Sequence, residues 1–362
     1  MPEVANTILI IHFNLLSTIK LKAMKNTIKL LLIAFIIPAF VFTSCKDEPT
    51  EEVVEFDVLK SHLVAEGMDL DHIIKNADGA KFVAAPPTDD PETVDVNEVD
   101  VFIAKYYIVD IRSAEDFALG HIEGAKNISF SSILTDAANA GDKPILVVCY
   151  TGQTACYATS LLRLYGYQST QALKWGMSGW NADFAAKWNS TIASNIASGN
   201  ANWTSEAAPA NNVYSNPVLN TGKTSGSEIL KAQVEAVVAA GFKTVNAPDV
   251  LETPGTYHIN NFFSEAHYTG FGHIKGAYRI NPVMLTDDTY NALDPEGKVV
   301  TYCYTGQTSA VITAFYNVMG YEAYSMLFGM NKLWNENPFW ADPEIKNQWG
   351  ADSNPKELPV VQ

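Results

Sequence analysis

The sequence has few cysteines and few basic residues for its length. Its 362 residues include four cysteines and 24 Lys plus Arg against 40 Asp plus Glu, for a formal net charge of −16. A chain this acidic is poorly suited to nucleic acid, whose phosphates require a basic surface. It also provides no long-range attraction for an anionic ligand, so any anion site must be built from local dipoles.

The cysteines lack the spacing of a metal site. They are Cys45, Cys149, Cys156 and Cys303, and they form no CxxC pair and no Cys/His cluster of the zinc type. We therefore predict neither a metal nor a cofactor. Cys156 comes about two helical turns, roughly 10 Å, after Cys149, so a disulfide between them would be strained. A small buried core residue is the simpler interpretation of Cys156.

Long apolar runs are also scarce, and the one near the N-terminus is too short to span a membrane. Residues 30–42 are apolar but include Pro38, and a bilayer core is roughly 30 Å thick. A basic segment from Met24 precedes this run and Thr43-Ser44-Cys45 follows it, which is the order of a signal peptide. The end of the run resembles a bacterial lipobox, and this resemblance implies that Cys45 is lipidated after cleavage.

The segment that follows Cys45 is polar and acidic. It resembles the signal that directs lipoproteins of Bacteroidetes-type bacteria to the outer face of the outer membrane. We therefore predict that the protein is an outer-membrane lipoprotein of the cell envelope, either surface-exposed or periplasmic. It would contact the membrane through its lipid anchor only. Residues 1–23 are interpreted as lying upstream of the true initiator, Met24.

One hexapeptide occurs twice in the chain. Each copy follows an apolar run with β-branched residues and precedes a helical pattern, which predicts strand, loop and helix in that order. An identical repeat of this length is rarely chance, so we predict two similar halves. The copies are Cys149-Tyr150-Thr151-Gly152-Gln153-Thr154 and Cys303-Tyr304-Thr305-Gly306-Gln307-Thr308.

A cysteine between a buried strand and a helix N-terminus lies where several backbone N–H groups converge. Such a position favours an anion, and the helix dipole should lower the cysteine pKa from about 8.5 toward neutrality. The resulting thiolate would be a nucleophile. In the alternative interpretation the cysteine is structural, and Thr154 and Thr308 serve as helix N-caps.

Strands and helices alternate through both halves, which predicts an α/β fold. Each half should be a parallel sheet with helices on both faces and with its site outside the carboxyl ends of the strands. The predicted organisation is an upstream segment and signal peptide over residues 1–44, a tether over 45–56, a first domain over 57–188, a linker over 189–227, a second domain over 228–350 and a tail over 351–362.

Both halves of the sequence resemble the rhodanese (sulfurtransferase) domain. The resemblance rests on Asp110-Ile-Arg112, Glu115, Gly120-His121-Ile122, Cys149-x-x-Gly152 and Gly176 with Trp180. It implies transfer of sulfane sulfur through a cysteine persulfide, with Cys149 and Cys303 as the nucleophiles. The loop amides of residues 150–154 and 304–308 would hold the anionic sulfur. Small sulfur-containing anions and thiol acceptors would be the partners.

The sequence departs from the family in both cysteine loops. Neither contains the arginine that thiosulfate-specific rhodaneses often have, and Thr154 and Thr308 resemble the loop ending of mercaptopyruvate sulfurtransferases. The donor therefore stays open between thiosulfate and mercaptopyruvate. A non-catalytic binding or sensor module is the alternative, whereas a phosphatase is excluded because Ala155 and Ser309 stand where its loop needs an arginine.

The two predicted sites differ at their mouths. Arg112 and Lys174 are expected to place cations at the first site, whereas Asn261 or Phe262 and Phe328 stand at the corresponding places in the second. Thiosulfate should then prefer the first site, although tandem rhodaneses usually keep their activity in the C-terminal domain. His121 and His273 are expected to hold their turns by hydrogen bonds rather than to act as acids or bases.

The lipobox interpretation makes a prediction about membrane attachment. Cys45→Ala should release or misprocess the protein, because the thiol that would carry the lipid is gone. Cell fractionation and gel mobility of the variant and the wild type measure this outcome. A variant that stays membrane-bound with unchanged mobility would contradict the lipobox.

Overall fold

Two α/β halves built on one plan form the part of the chain that the computed structural model describes, residues 54–87 and 96–362. Both halves belong to one unit that spans Val53–Gln362. The predictions for the signal peptide, for Cys45 and for most of the tether lie outside the described residues. Within residues 54–87 and 96–362, no helix is long and apolar enough to cross a membrane.

The first half contains a five-stranded parallel sheet with the strand order β1-β5-β4-β2-β3. Short 3-10 turns connect several of its elements. The elements are α1 (Glu55–Ala65), α2 (Leu70–Ile74), β1 (Val83–Ala84), α3 (Val96–Lys105), β2 (Tyr107–Asp110), α4 (Ala114–Leu119), β3 (Lys126–Asn127), α5 (Ile133–Asp136), β4 (Ile145–Val148), α6 (Gln153–Leu164), β5 (Gln171–Leu173), α7 (Met177–Trp180) and α8 (Ala186–Thr191).

The second half repeats this plan in a four-stranded parallel sheet with the order β7-β11-β10-β8. The strand that would match β3 is reduced to one parallel bridge between Asn260 and Tyr278. Following β6 (Trp203–Thr204), its elements are α9 (Gly226–Ala240), β7 (Thr244–Val245), α10 (Ala247–Glu252), β8 (His258–Asn261), α11 (Glu265–Phe271), β9 (His273–Ile274), β10 (Val299–Tyr302), α12 (Gln307–Val318), β11 (Ala323–Met326) and α13 (Gly329–Trp334). The predicted fold class is confirmed.

The central strands are buried along their whole length. Every residue of β4 and β10 is buried, which is typical of parallel strands covered by helices on both faces. Helices α6 and α12, which follow the two cysteine loops, pack against each other and are buried on nearly all sides. One hydrophobic cluster therefore runs through both halves, and it includes Cys149 of the first loop.

The connection between the halves and the C-terminal segment are both ordered. β6, in the middle of the predicted linker, pairs antiparallel with β9 of the second half. The C-terminal segment returns to the first half, where Glu357 bridges to Asn181 and Val361 bridges to His121. The domain limits predicted from the sequence stay predictions, but neither segment is a free spacer.

Buried tyrosines predict a loss of stability at alkaline pH. Desolvation raises the pKa of Tyr157, Tyr302 and Tyr316 above the usual value, because a phenolate in the core loses its hydration. The folded state thus holds these protons more tightly than the unfolded chain does. The stabilisation is complete below the ordinary tyrosine pKa of about 10 and is lost as the pH rises above it, by up to about 1.4 kcal/mol per tyrosine and pH unit.

Denaturant titrations at a series of alkaline pH values, read by circular dichroism, should show a falling midpoint. Absorbance of tyrosinate should show that these phenols ionise only together with unfolding. Tyr316→Phe should make the fall of the midpoint with pH shallower, because it removes one buried ionisable phenol. It also removes the hydrogen bond that Asn260 Nδ2 donates to Tyr316 Oη at 3.4 Å. A midpoint that is independent of pH above 10 would contradict the assignment.

Candidate active site

The two cysteines occupy equivalent positions at the carboxyl ends of the central strands. Cys149 follows β4 and Cys303 follows β10, and their residues are 3% and 2% exposed. The helices begin at Gln153 and Gln307, after N-cap glycines with φ of +84° and +76°. The N-cap role considered for Thr154 and Thr308 is therefore wrong, because both threonines lie inside the first helical turn.

Backbone amides surround each sulfur. The N–H of Ala155 lies 3.3 Å from Cys149 Sγ, and the N–H of Ser309 lies 3.4 Å from Cys303 Sγ. The amides of Thr151 and Gly152 also favour the Cys149 thiolate and so oppose the rise of its pKa. At the first site, Thr151 and Gly152 belong to the predicted cluster and Ala155 lies one residue beyond the hexapeptide. At the second site the amide on the sulfur is that of Ser309, also one residue beyond the hexapeptide.

The second site has a hydroxyl that the first site lacks. Ser309 Oγ lies 3.7 Å from Cys303 Sγ and 2.8 Å from Ser325 Oγ, whereas the equivalent residue of the first site is Ala155. From the sequence, positions 155 and 309 served only to exclude a phosphatase. Their place on the strand-loop-helix turn was the signal that could have identified them as sulfur neighbours.

The expectation of a depressed pKa is wrong for Cys149. Burial raises the pKa of its thiol and outweighs the amides of Ala155, Thr151 and Gly152, and the Asp110 carboxylate raises it further. Burial also raises the pKa of Cys156 well above its usual value, with smaller contributions from Cys149 and Cys303. Cys156 is fully buried, as predicted, and all three thiols are free.

A closing turn packs against each cysteine loop. It is Trp175-Gly176-Met177 in the first half and Phe328-Gly329-Met330 in the second. Met177 N–H donates to the carbonyl oxygen of Cys149 at 2.9 Å, and Met330 N–H donates to that of Cys303 at 2.9 Å. The preceding glycines have left-handed φ angles, +61° at Gly176 and +52° at Gly329. A Cβ atom at Gly176 would lie 2.4 Å from the Cys149 oxygen, and one at Gly329 would lie 2.1 Å from that of Cys303.

The role of Arg112 as a cation at the site mouth is wrong. Its side chain is fully buried, with Nη2 2.7 Å from an Asp110 carboxylate oxygen and 2.7 Å from the Gly120 carbonyl oxygen. The ion pair neutralises the charge, so Asp110 and Arg112 form a buried structural pair. Strand register aligns Asp110 with Val148 and Asn261 with Tyr302, immediately before the respective cysteines. Counting two residues on from Asn261 then gives Phe263, rather than residue 261 or 262, as the equivalent of Arg112.

Lys174 lies away from the first loop. Its Nζ is 5.7 Å from the centroid of the Trp175 ring, and it lines a cavity with Asp352 and Lys356 that no residue of the Cys149–Thr154 loop lines. Burial lowers its pKa, as do Lys81 and Lys356. The equivalent of Phe328 is Trp175 rather than Lys174, because each directly precedes a closing glycine and has a positive φ, +64° at Phe328 and +67° at Trp175.

A cation that the sequence analysis missed lies over Tyr150. Lys187 Nζ is 3.4 Å from the centroid of that ring, and the lysine is exposed. The Tyr150 hydroxyl donates to the Asp116 carboxylate. No pattern in the sequence could have placed Lys187 here, because it arrives on α8, beyond the repeated motifs.

The second loop presents a different tyrosine environment. Tyr304 Oη lies 2.5 Å from His267 Nδ1, and His267 Nε2 lies 3.6 Å from an Asp342 carboxylate oxygen. Phe263 stacks on the Tyr304 ring with centroids 4.4 Å apart. Phe263 is buried, as are Tyr268 and Phe271, so these aromatic residues belong to the core beside the loop.

The predictions that His121 and His273 hold their turns by hydrogen bonds are confirmed. His121 Nδ1 lies 3.1 Å from the Phe117 carbonyl oxygen, and His273 Nδ1 lies 3.2 Å from the Tyr268 carbonyl oxygen. Each imidazole also stacks on the ring of that same residue. Both histidines thus hold the turn after a short helix and do not face a sulfur.

The closing glycine predicts a sharp difference between two alanine variants. Gly176→Ala should destroy the Cys149 cradle, because its Cβ overlaps the backbone of the loop. Gly124→Ala is the matched control, since φ is +76° there and no heavy atom lies within 4 Å of the new Cβ. The control should cost about 1–3 kcal/mol in unfolding free energy from backbone strain alone, and Gly176→Ala clearly more. Equal unfolding free energies and equal Cys149 alkylation rates in Gly176→Ala and Gly124→Ala would contradict the close contact between the closing turn and the loop.

Sequence comparison identifies the same domain in both halves. The model of the Rhodanese-like domain matches residues 95–183 and 261–336. A curated relative, "Thiosulfate sulfurtransferase GlpE" of Pseudomonas putida, is 36% identical over 81 residues, which are 22% of this chain and 74% of the relative. The protein of the same name from Ectopseudomonas mendocina is 33% identical over 81 residues, with the same shares of the two chains.

Solved structures give a weaker match. The thiosulfate sulfurtransferase of Pseudomonas aeruginosa is 13% identical, with a TM-score of 0.24, over 85% of this chain and 69% of that one. The 3-mercaptopyruvate sulfotransferase SseA of Escherichia coli is 12% identical, with a TM-score of 0.25, over 68% of this chain and 98% of that one. Because these scores are low, the assignment rests on the sequence matches and on the repeated cysteine turn. The chain belongs to the rhodanese-like domain family, with one such domain in each half.

Proposed function

We propose that the protein is a sulfurtransferase with two cysteine sites. The observation that carries the proposal is the pair of amide contacts on the sulfur atoms, from Ala155 to Cys149 and from Ser309 to Cys303. Preorganised N–H donors stabilise an anion without reorganisation, which suits a thiolate and a persulfide anion alike. The names of the related proteins support sulfur transfer as the chemistry.

The proposed reaction conserves electrons at each step. The cysteine thiol first loses its proton to solvent. The thiolate then attacks the outer sulfur of thiosulfate, the sulfur–sulfur bond of the donor breaks, and sulfite leaves with the bonding pair. The enzyme then carries a cysteine persulfide. A thiolate or cyanide acceptor attacks the terminal sulfur and releases the original cysteine thiolate. With mercaptopyruvate, a carbon–sulfur bond breaks instead, and the pyruvate carbon takes up a proton.

Charge favours thiosulfate at the first site. Lys187 over Tyr150 places a cation beside the first loop, and a cation attracts a doubly charged donor more strongly than a singly charged one. Around Tyr304, the second site has a histidine and aromatic rings instead. We therefore propose thiosulfate as the donor for Cys149 and a less charged donor, such as mercaptopyruvate, for Cys303.

One observation favours the second candidate, a binding or sensor module without turnover. Both thiols are almost completely buried, and burial raises the pKa of Cys149, so the resting thiol is protonated near neutral pH. A module of this kind would bind a sulfur anion at the amides without forming a persulfide. Turnover and a cysteine mass increase of one sulfur atom distinguish the two functions.

The two single cysteine variants test the proposed function. Cys149→Ser should remove most of the thiosulfate-dependent activity, whereas Cys303→Ser should leave most of it, and mercaptopyruvate should show the reverse pattern. Mass spectrometry after incubation with each donor should find the added sulfur on the corresponding cysteine peptide. Wild-type protein without turnover and without added sulfur on either peptide would support the binding module. The opposite order of the variants would show that amides rather than cations decide which site reacts.

A further inference from the structure

Each cysteine loop extends its glutamine side chain to the opposite half of the molecule. Gln153, from the first loop, accepts the N–H of Phe328 at Oε1 with a distance of 2.7 Å. Gln307, from the second loop, accepts the N–H of Trp175 at Oε1 with a distance of 3.1 Å. Both glutamines are almost fully buried, so these contacts are made without competition from solvent.

The backbone groups that the glutamines accept belong to the closing turns. Trp175 and Phe328 have left-handed φ angles, which bulky residues adopt only where the surroundings hold them. Two residues after Trp175, the N–H of Met177 holds the carbonyl oxygen of Cys149. Gln307, from the second loop, thus binds the N–H of Trp175, and two residues further on the same turn binds the carbonyl oxygen of Cys149.

The glutamines also contact the opposite loop itself. A Cβ atom added at Gly152 would lie 2.8 Å from Gln307 Oε1, and one added at Gly306 would lie 2.2 Å from Gln153 Oε1. Each N-cap glycine is therefore packed beneath the amide of the other loop. Since the N–H of Gly152 is one of the groups that favour the Cys149 thiolate, the crossed amide lies against the anion cradle.

We propose that Gln153 and Gln307 are reciprocal positioning residues that couple the two sulfur-binding loops, so that each glutamine sets the reactivity of the cysteine in the opposite half. The amide oxygen fixes the closing turn, and the closing turn fixes the loop carbonyl and the amides around the sulfur. When the cysteine gains a sulfur atom, the persulfide anion that the loop amides hold is larger than the thiolate. Any resulting shift of the loop moves its glutamine and is transmitted to the other site. Coupling of this kind is reciprocal between the two sites.

Simple adhesion between the halves is a different role, and the structure offers a matched control for it. Tyr157 Oη accepts a hydrogen bond from Asn317 Nδ2 at 3.2 Å, which also joins α6 of the first half to α12 of the second. This bond is buried, and neither partner contacts a closing turn in a hydrogen bond that the structure describes. Tyr157→Phe therefore removes a bond between the halves without touching either loop.

The test measures the reactivity of both thiols in one full-length protein. Gln307→Met and Gln153→Met keep the side-chain length and remove the acceptor. Pulse alkylation with iodoacetamide, read for each cysteine peptide by mass spectrometry, gives separate rates for Cys149 and Cys303. Gln307→Met should change the Cys149 rate about fivefold or more and the Cys303 rate less, and Gln153→Met should show the mirror pattern.

The controls decide between positioning and adhesion. Tyr157→Phe should leave the ratio of the two rates unchanged, because it removes a bond between the halves without altering either loop. If each glutamine variant affects mainly the cysteine of its own loop, or if its ratio equals that of Tyr157→Phe, the proposal is wrong. Should one methionine variant fail to fold, the other still yields the diagnostic ratio.

A kinetic arm extends the inference to turnover, and that arm rests on the proposed function. In a Cys303→Ser background, Gln307→Met should lower kcat for thiosulfate at Cys149 severalfold more than it raises KM, since the chemistry rather than donor binding depends on the amide positions. A change confined to KM contradicts this arm. Protein without turnover would overturn the proposed function, while the alkylation ratio would still decide the positioning role.

Discussion

The arrangement of both sites depends on the direction of two carbonyl groups. The carbonyl oxygens of Cys149 and Cys303 point away from the loop and accept N–H groups from the closing turns. With these oxygens fixed, the backbone amides that follow face the sulfur instead. Only glycine allows the closing turn to approach so closely, because any side chain at Gly176 or Gly329 would overlap the carbonyl group it should bind. The sulfur sites are thus made by backbone geometry, without charged side chains in the loops.

Much of this arrangement was predictable from local sequence. The repeated hexapeptide, the apolar runs before it and the helical pattern after it define a strand, a loop and a helix, because these features depend on neighbours in the chain. The turns of His121 and His273 were predictable for the same reason. The repeat also indicated two similar halves, which the sheet topology confirms.

The features that the sequence did not reveal all depend on tertiary approach. A pattern shows that Arg112 is a cation, but only packing shows that its charge is buried against Asp110. Likewise, the loop amides favour the Cys149 thiolate, but the cost of desolvation depends on how much protein covers the thiol. Lys187 and the crossed glutamines reach their partners from other elements or from the opposite half, so no spacing rule could have paired them.

The C-terminal segment has a consequence for the order in which the molecule is built. Trp180, which ends the closing helix of the first site, donates its indole N–H to the Pro359 carbonyl oxygen at 2.8 Å, and Leu358 is buried against the first half. Trp349 packs on Trp175, beside the same site. Chains fold from the N-terminus as they leave the ribosome, but here part of the cover of the first half comes from residues that are synthesised after the second sheet. A fragment that ends at residue 188 would leave Trp180 without its backbone acceptor, and Cys149 would have a cover different from the one it has in the full chain.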